Sequence, residues 1–337
     1  MTRTENNLYR EICSSGNIWL AFRKARKGKS SKYYVKEFET NIEHEMALLK
    51  EELKSETYHP KQLKRFVIHD PKTRVIHAPV FRDRIVHHAI CNVIEPIFDN
   101  TFIYDSYASR KEKGMHAALK RFDHFKKKVS RNGTPVPYVK NNNMVRGWVL
   151  KADIRHYFPS VDHNILLDLL RKKISDEKTI SQLQKIIKAY ANESKGMPLG
   201  ALTSQLFANV YLNPLDHFVK ERLHAKYYLR YLDDFVILHS SRRQLEKMRD
   251  EIEKFLSTEL KLELHPEKTS IFPLHNGVNF LGFRCFYHYR LLKKSNLRHF
   301  LLNLKNGHHN DKSIEGWIAH ASWGNTYNLR KKIFQNF

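Results

Sequence analysis

Two adjacent carboxylates, Asp233 and Asp234, interrupt an apolar run that reads YYLRYLDDFVILHS over residues 227–240. The flanking aromatic and β-branched residues favour strand, whereas aspartate is depleted from strands and costs free energy when it leaves water unpaired. The stretch therefore reads as two strand halves meeting at a tight turn that carries the acids. A plain β-turn accepts aspartate too, so the pair by itself leaves turn and site open. A second acid in the same context narrows the choice: Asp153 follows Val149-Leu150-Lys151-Ala152 in VLKADIRHYF. Taken alone, Asp153 also suits a helix N-cap. Carboxylates gathered at the ends of neighbouring strands repel one another, and a divalent cation relieves that repulsion. Mg²⁺ is a hard ion that takes oxygen ligands, typically one or two carboxylates together with substrate phosphates. Two such ions roughly 3.5–4 Å apart activate a 3′ hydroxyl and stabilise a departing pyrophosphate. Asp153 and Asp233 lie 80 positions apart, so only the fold can unite them.

Charge points the same way. Lys and Arg number 59 against 35 acidic residues, a formal charge of +24 spread along the whole chain. Solubility alone needs a net charge of no more than roughly 8, and a broad positive field suits a polyanion, nucleic acid above all. With 337 residues the chain exceeds one hydrophobic core, which predicts two or three coupled subdomains, and 41% apolar content excludes a disordered class. Cys13, Cys91 and Cys285 are odd in number and far apart, which excludes a disulfide framework or a zinc site and points to a reducing cytoplasm. The pair His308-His309 reads as solvent-exposed loop. No apolar run approaches about 18 residues and the N-terminus lacks a signal-peptide core, so a soluble intracellular protein without membrane contact is expected.

Periodicity supplies the elements. Residues 35–55 predict one amphipathic helix with Phe38, Ile42, Met46, Leu49 and Leu53 on its apolar face. Two strands, KRFVIHD and TRVIHAP, follow across the turn Asp70-Pro71-Lys72, then a helix, DRIVHHAICNVIEPIF, that should stop near Pro96. Residues 121–143, polar and carrying Gly133, Pro135 and Pro137, read as a surface loop. WVLKADIRHYF begins as a strand and DHNILLDLLRKKI is a helix capped by Asp162. Helix resumes after Gly200 and again over residues 242–260. KLELHPEKTSIF reads as an extended pair and VNFLGFRCFYH as one further strand. The order predicts an α+β fold, antiparallel strands backed by helices.

From about residue 65 to its end the chain resembles a bacterial-type reverse transcriptase. The blocks that carry the likeness are RVIHAPVFRDRIVHHAI, DSYASRKEKGMHAAL, KADIRHYFPSVDH, GMPLGALTSQLFANVYLN, RYLDDFVIL, ELHPEKTSIF and VNFLGF, in that order. The resemblance implies a right-hand polymerase fold with an antiparallel palm sheet, helical fingers and a short helical thumb. Residues 1–148 would form the N-terminal extension and fingers, 149–283 the palm with finger and palm helices at about 163–220, and 284–337 the thumb. It implies an RNA-directed DNA polymerase that uses two Mg²⁺ ions and dNTPs. The enzyme would hold template RNA and the RNA/DNA heteroduplex through phosphate contacts. By position, Asp153 and Asp233 would ligate both metals, Asp234 would assist or orient, and the Ile154 carbonyl would face one metal. Phe158 would be the aromatic gate that excludes a 2′-OH, with Tyr157 its rival. Arg74 would grip the triphosphate with its planar guanidinium, unless it is a solvated strand charge. Lys268 would donate a proton to pyrophosphate, although an exposed turn lysine fits the same position.

One block departs from the family. Most relatives carry Pro-Gln-Gly and then Ser-Pro; this chain reads Met197-Pro198-Leu199-Gly200-Ala201-Leu202-Thr203-Ser204-Gln205. Leu199 replaces an amide that would contact the incoming nucleotide, and Gln205 replaces a proline. Loss of that polar contact weakens discrimination against misaligned nucleotides. The Leu-Gly-x-x-x-Ser-Gln arrangement is similar to that of diversity-generating retroelement reverse transcriptases, as is the tail EGWIAHASWGNTYNLRKKI. Those enzymes copy a structured template RNA with errors at adenines and act with a small basic accessory protein. A reverse transcriptase of an antiphage defence system, or of a group II intron-like element, is the alternative. A non-enzymatic RNA-binding scaffold fits less well, because a retired site has no reason to keep three acids. The short tail after the thumb-like region is expected to lack endonuclease and RNase H extensions.

Overall fold

The computed structural model describes residues 5–69, 73–137, 144–190, 194–307 and 310–335. Among the described residues the strands are β1 (Lys64–Ile68), β2 (Arg74–Ala78), β3 (Ser106–Tyr107), β4 (Trp148–Asp153), β5 (Tyr227–Tyr231), β6 (Asp234–His239), β7 (Ser270–Pro273), β8 (Val278–Phe280), β9 (Phe283–Cys285) and β10 (Arg290–Leu292). The chain divides into two units. One comprises Met1–Tyr104, Ile154–Phe218 and Glu253–Leu264, the other Asp105–Asp153, Val219–Ile252 and His265–Phe337.

The second unit holds a five-stranded sheet in the order β3-β5-β6-β4-β7. β5 and β6 form a hairpin, β4 lies antiparallel to β6 and to β7, and the two-residue β3 runs parallel to β5 at the edge. Helix Met115–Val129 covers one face. Its Ala118, Leu119, Phe122, Phe125 and Val129 recur at helical spacing and are buried against Leu229, Val236 and Leu238 of the sheet and Phe280 and Phe283 beyond it. Burying each such aromatic contributes roughly 1.5–3 kcal/mol. A small sheet, β10-β9-β8, extends this core. Three helices follow, Lys294–Lys305, Asp311–Ala321 and Tyr327–Gln335, joined by Phe300, Leu304 and Ile333 and by a Phe300–Trp317 stack at 3.8 Å.

The first unit is helical apart from the β1-β2 hairpin, whose residues 64–68 are all exposed. Its long helix, Phe81–Asp99, buries Ile85, Ala89, Ile90 and Ile94 completely. The buried His87 meets Thr203 of helix Leu202–His217 at 2.8 Å. Asp162 and Asp176 cap helices His163–Arg171 and Glu177–Lys188 through two backbone N–H groups each. No helix among the described residues is long and apolar enough to cross a membrane.

Several sequence expectations need correction. The helix expected over 35–55 is two, Tyr33–Thr40 and Ile42–Lys54, broken at Asn41, where φ is −126° and ψ 39°. Helix Phe81–Asp99 continues through Pro96. So near the C-terminus the proline removes one hydrogen bond, and the buried Phe98 holds the last turn. Residues 121–129 are helical, not loop, because the spacing of Phe122, Phe125 and Val129 outweighs polar composition. Turn geometry starts only at Arg131, Asn132 and Gly133, all with positive φ. The strand expected over 278–288 is a hairpin that reverses at Leu281 and Gly282, at φ +47° and +84°. A leucine in the left-handed region gives no turn signal in a sequence. The extended pair at 261–272 reduces to a bridge at Leu264 and strand β7. Asp70-Pro71-Lys72, His308-His309 and residues 138–143 lie outside the described residues.

Candidate active site

Strand register assembles the acids. Asp153 ends β4, Asp234 begins β6, and the two are direct cross-strand partners. On the other side Asp234 faces Tyr231, so the hairpin tip is the two-residue loop Leu232-Asp233. The pairs Val149↔Leu238, Leu150↔Ile237 and Ala152↔Phe235 bury apolar side chains on both faces. A one-residue slip would pull the acids out of alignment and turn every side chain to the opposite face.

The tip is held from behind by a residue that the sequence reading did not single out. Leu232 sits at φ +55°, an unfavourable conformation for a branched-chain residue. Its carbonyl accepts a 3.0 Å hydrogen bond from Nη1 of Arg230, and Nη2 of that guanidinium donates to Ser106 Oγ at 3.1 Å. Arg230 is fully buried. Beneath it the Arg230 N–H donates to the Asp105 carbonyl, and the buried Asp105 carboxylate accepts from Arg121 Nε at 2.6 Å and Lys220 Nζ at 2.9 Å. A charged residue inside the apolar run YYLRYL was the available signal, since arginine is seldom fully buried without partners.

Two lysines face the acids. Lys268 Nζ donates to Asp153 Oδ1 at 2.8 Å, and Lys151 Nζ, also missed in the sequence, lies 3.7 Å from Asp234 Oδ1. The turn that carries Lys268 is closed by its N–H on the His265 carbonyl and tied to β4 by the His265 N–H on the Asp153 carbonyl at 2.8 Å. Burial, with the Asp153 charge next in weight, pushes the Asp233 carboxyl up to about 6. Burial also raises Asp234, with Lys151 opposing and Asp153 adding to the rise. Asp234 Oδ1 is buried and has no hydrogen-bond partner among the described residues.

This donor set fits a divalent metal. It offers hard oxygen ligands, an orphaned carboxylate oxygen and two carboxyls held reluctant to ionise until positive charge arrives. Among the described residues no three His, Cys, Asp or Glu side chains close round a point by themselves. An ion here would need ligands beyond these side chains, as Mg²⁺ does when substrate phosphates complete its shell. The backbone bonds beside the Ile154–Leu264 bridge run from Arg155 N to Glu263 O and from His265 N to Asp153 O, which leaves the Ile154 carbonyl out of that ladder.

Apart from Lys268, the nucleotide-contact candidates belong to the other unit. Arg74 opens β2 and is exposed on the hairpin. The His77 N–H of the same strand donates to the Leu199 carbonyl at 2.9 Å, so residues 197–200 run beside β2. Gly200, at φ +129°, is required there: a Cβ would lie 2.7 Å from Ile76 Cγ2 and 3.1 Å from the His77 carbonyl oxygen. Gln205 is exposed in the first turn of helix Leu202–His217. Phe158 is half-buried and its carbonyl accepts from Met197 N–H at 2.9 Å. Tyr157 is buried and its hydroxyl donates to the Ala208 carbonyl at 2.6 Å. Thus Asp153, Asp233, Asp234 and Lys268 gather in one unit, and Arg74, Phe158, Leu199, Gly200 and Gln205 belong to the other.

Residues 64–285 match the family described as Reverse transcriptase (RNA-dependent DNA polymerase). Protein YkfC of Escherichia coli is 31% identical over 71% of this chain and 71% of its own length. The group II intron-encoded protein LtrA of Lactococcus lactis is 24% identical over 82% of this chain, a match that takes in 56% of the relative. Among solved structures, apo telomerase from Candida tropicalis superposes with a TM-score of 0.50 at 14% identity, covering 69% of this chain and 47% of that one. That likeness is one of fold, the α+β right-hand polymerase fold. The strand-borne acids, the family match and this fold agree: the chain belongs to the reverse transcriptase family of RNA-directed DNA polymerases.

Proposed function

We propose that this protein is a Mg²⁺-dependent reverse transcriptase that copies the template RNA of a diversity-generating retroelement with low fidelity. Cross-strand pairing of Asp153 with Asp234 beside Asp233 carries the catalytic part. Leu199 carries the specific part, an aliphatic side chain on the segment bonded to β2 where relatives place glutamine.

The three carboxylates and the Ile154 carbonyl would hold the ions. When bound, two Mg²⁺ ions would activate the primer 3′ hydroxyl for in-line attack on the α-phosphate and neutralise the departing pyrophosphate. Lys268 steadies Asp153 and stands ready to protonate the leaving group. Phe158 is the sugar gate, because Tyr157 already spends its hydroxyl inside the fold. Arg74 grips the triphosphate from the exposed hairpin. With no amide at Leu199, nothing polar there reports on the alignment of sugar and primer, and misaligned nucleotides are rejected less well. Fingers within 1–148, palm within 149–283 and thumb from 284 complete the division, with a small basic accessory protein and a structured RNA as partners. Service in a group II intron-like element is the second reading, favoured by the likeness to the lactococcal intron-encoded protein.

Primer extension on RNA with Mg²⁺ tests the activity: the Asp233→Ala, Asp234→Ala double variant should yield no cDNA, and a yield equal to wild type overturns it. Sequencing the cDNA tests the specific reading. Leu199→Gln should lower misincorporation opposite template adenine; an unchanged error spectrum removes Leu199 from the explanation.

A further inference from the structure

The five-stranded sheet has a second end. β4 runs from Trp148 to Asp153, and five residue steps of about 3.3 Å set Trp148 about 17 Å from the acids. There a cavity of about 330 Å³ lies between the end of helix Met115–Val129 and the turn after β7. Val129, Val136, Val145 and Trp148 supply its apolar lining, and Arg131 and Arg146 its charge. Among the described residues no aspartate or glutamate lines it, which disfavours a cationic ligand. His275, also in the lining, has a buried Nδ1 with no hydrogen-bond partner among the described residues. Trp148 is half-buried, and the Arg242 guanidinium lies 5.6 Å from its ring centroid.

The backbone holds this arrangement in place. Gly147 sits at φ +119°, and a Cβ there would lie 2.8 Å from Val129 Cγ1, so the chain passes tight against the helix end. The Arg146 N–H donates to the Thr134 carbonyl at 3.0 Å and the Val136 N–H to the Met144 carbonyl at 2.6 Å, which ties the two sides of the loop together. Positive charge at the rim is uncompensated. Arg131 and Arg146, both in the lining, are exposed with no carboxylate partner among the described residues. Like charges left together unpaired are unfavourable without a polyanion to share them.

We propose that this cavity receives an unpaired base of single-stranded RNA, with its flanking phosphates on Arg131 and Arg146. It is an anchor for template RNA, separate from the catalytic carboxylates, and it rests on the reverse transcriptase reading. The volume is near the lower end of ligand pockets, roughly 300 Å³, and so suits one base. An indole and aliphatic walls take the base face, arginines take the phosphates, and only an unstacked strand can present a base to such a site.

The test measures binding of a 20-nucleotide single-stranded RNA, the same length of duplex RNA and a single-stranded DNA, in EDTA, across a salt series. Val136→Trp fills the cavity without changing charge. It should weaken single-stranded RNA about tenfold, within the range for one lost base stack, and leave duplex binding and the salt slope alone. Arg131→Gln with Arg146→Gln alters only exposed side chains and should lower the salt slope by about 1.4, at about 0.7 per phosphate contact on a single strand. RNA containing 4-thiouridine should photo-crosslink to the peptide that carries Trp148. Extension of a short preannealed primer on RNA should match wild type in both variants, which reports folding; failure of the wild type in that assay would count against the polymerase reading instead. Wild-type RNA affinity in Val136→Trp, equal weakening of duplex and single strand, equal loss of DNA and RNA, or a crosslink elsewhere overturns the proposal.

Discussion

Replacing Asp233 by asparagine should stabilise the metal-free protein while abolishing polymerisation. The carboxyl's pKa stands at about 6 in the fold against an ordinary 3.8, raised first by burial and then by the Asp153 charge. At about 1.4 kcal/mol per unit the ceiling is about 3 kcal/mol of destabilisation whenever Asp233 is ionised. The site is only half-buried, so solvent screening reduces this to about 1–2 kcal/mol. The sign follows from linkage. The folded state binds this proton more tightly than the unfolded state, so the penalty is complete above about pH 6, shrinks as pH falls through the window, and vanishes below the unfolded value of 3.8. Thermal unfolding in EDTA at pH 7.5 should show Asp233→Asn melting a few degrees above wild type, with the gap closing towards pH 4. Saturating Mg²⁺ should reverse the order. A ligand at 100 times its Kd contributes about 2.7 kcal/mol to the wild type, and the variant has lost a ligand for it. An equal or lower melting temperature for the variant in EDTA, or a gap that widens on acidification, would refute the electrostatic account of the site.

Other outcomes follow from the same geometry. Arg230→Met should cost about 2–4 kcal/mol, because the Leu232 carbonyl and Ser106 lose their buried donor, and should lower kcat with little change in KM for dNTP; steady-state kinetics and urea unfolding check both. Phe158→Ala should admit ribonucleotides, measured by competition between rNTP and dNTP in primer extension. Tyr157→Phe should keep sugar selection and lose about 1 kcal/mol of stability with its hydrogen bond to Ala208; relaxed sugar selection in Tyr157→Phe would move the gate to Tyr157.

Much of the site was legible because its information is local. The acids stand out against strand-forming neighbours, and the hairpin around them follows from the aromatic and β-branched residues on either side of the Leu232-Asp233 tip. Asp162 caps a helix as its position suggested. Local signals failed where burial overrode them. The helix at 121–129 looks polar until Phe122 and Phe125 find the sheet, and the hairpin at Leu281 is invisible because leucine is a poor turn residue.

What the amino-acid order carried by itself was a resemblance borne by its motif blocks, the strand-borne acids and the basic, polyanion-seeking character of the chain, since motif order, composition and periodicity need no partners. What only the tertiary structure decided was how those acids are tolerated. Lys268 reaches Asp153 from 115 residues away, Lys220 reaches Asp105 across the same separation, and Arg230 turns inward to hold the Leu232 carbonyl. Electrostatic compensation depends on distance in space, and no reading along the chain carries that distance.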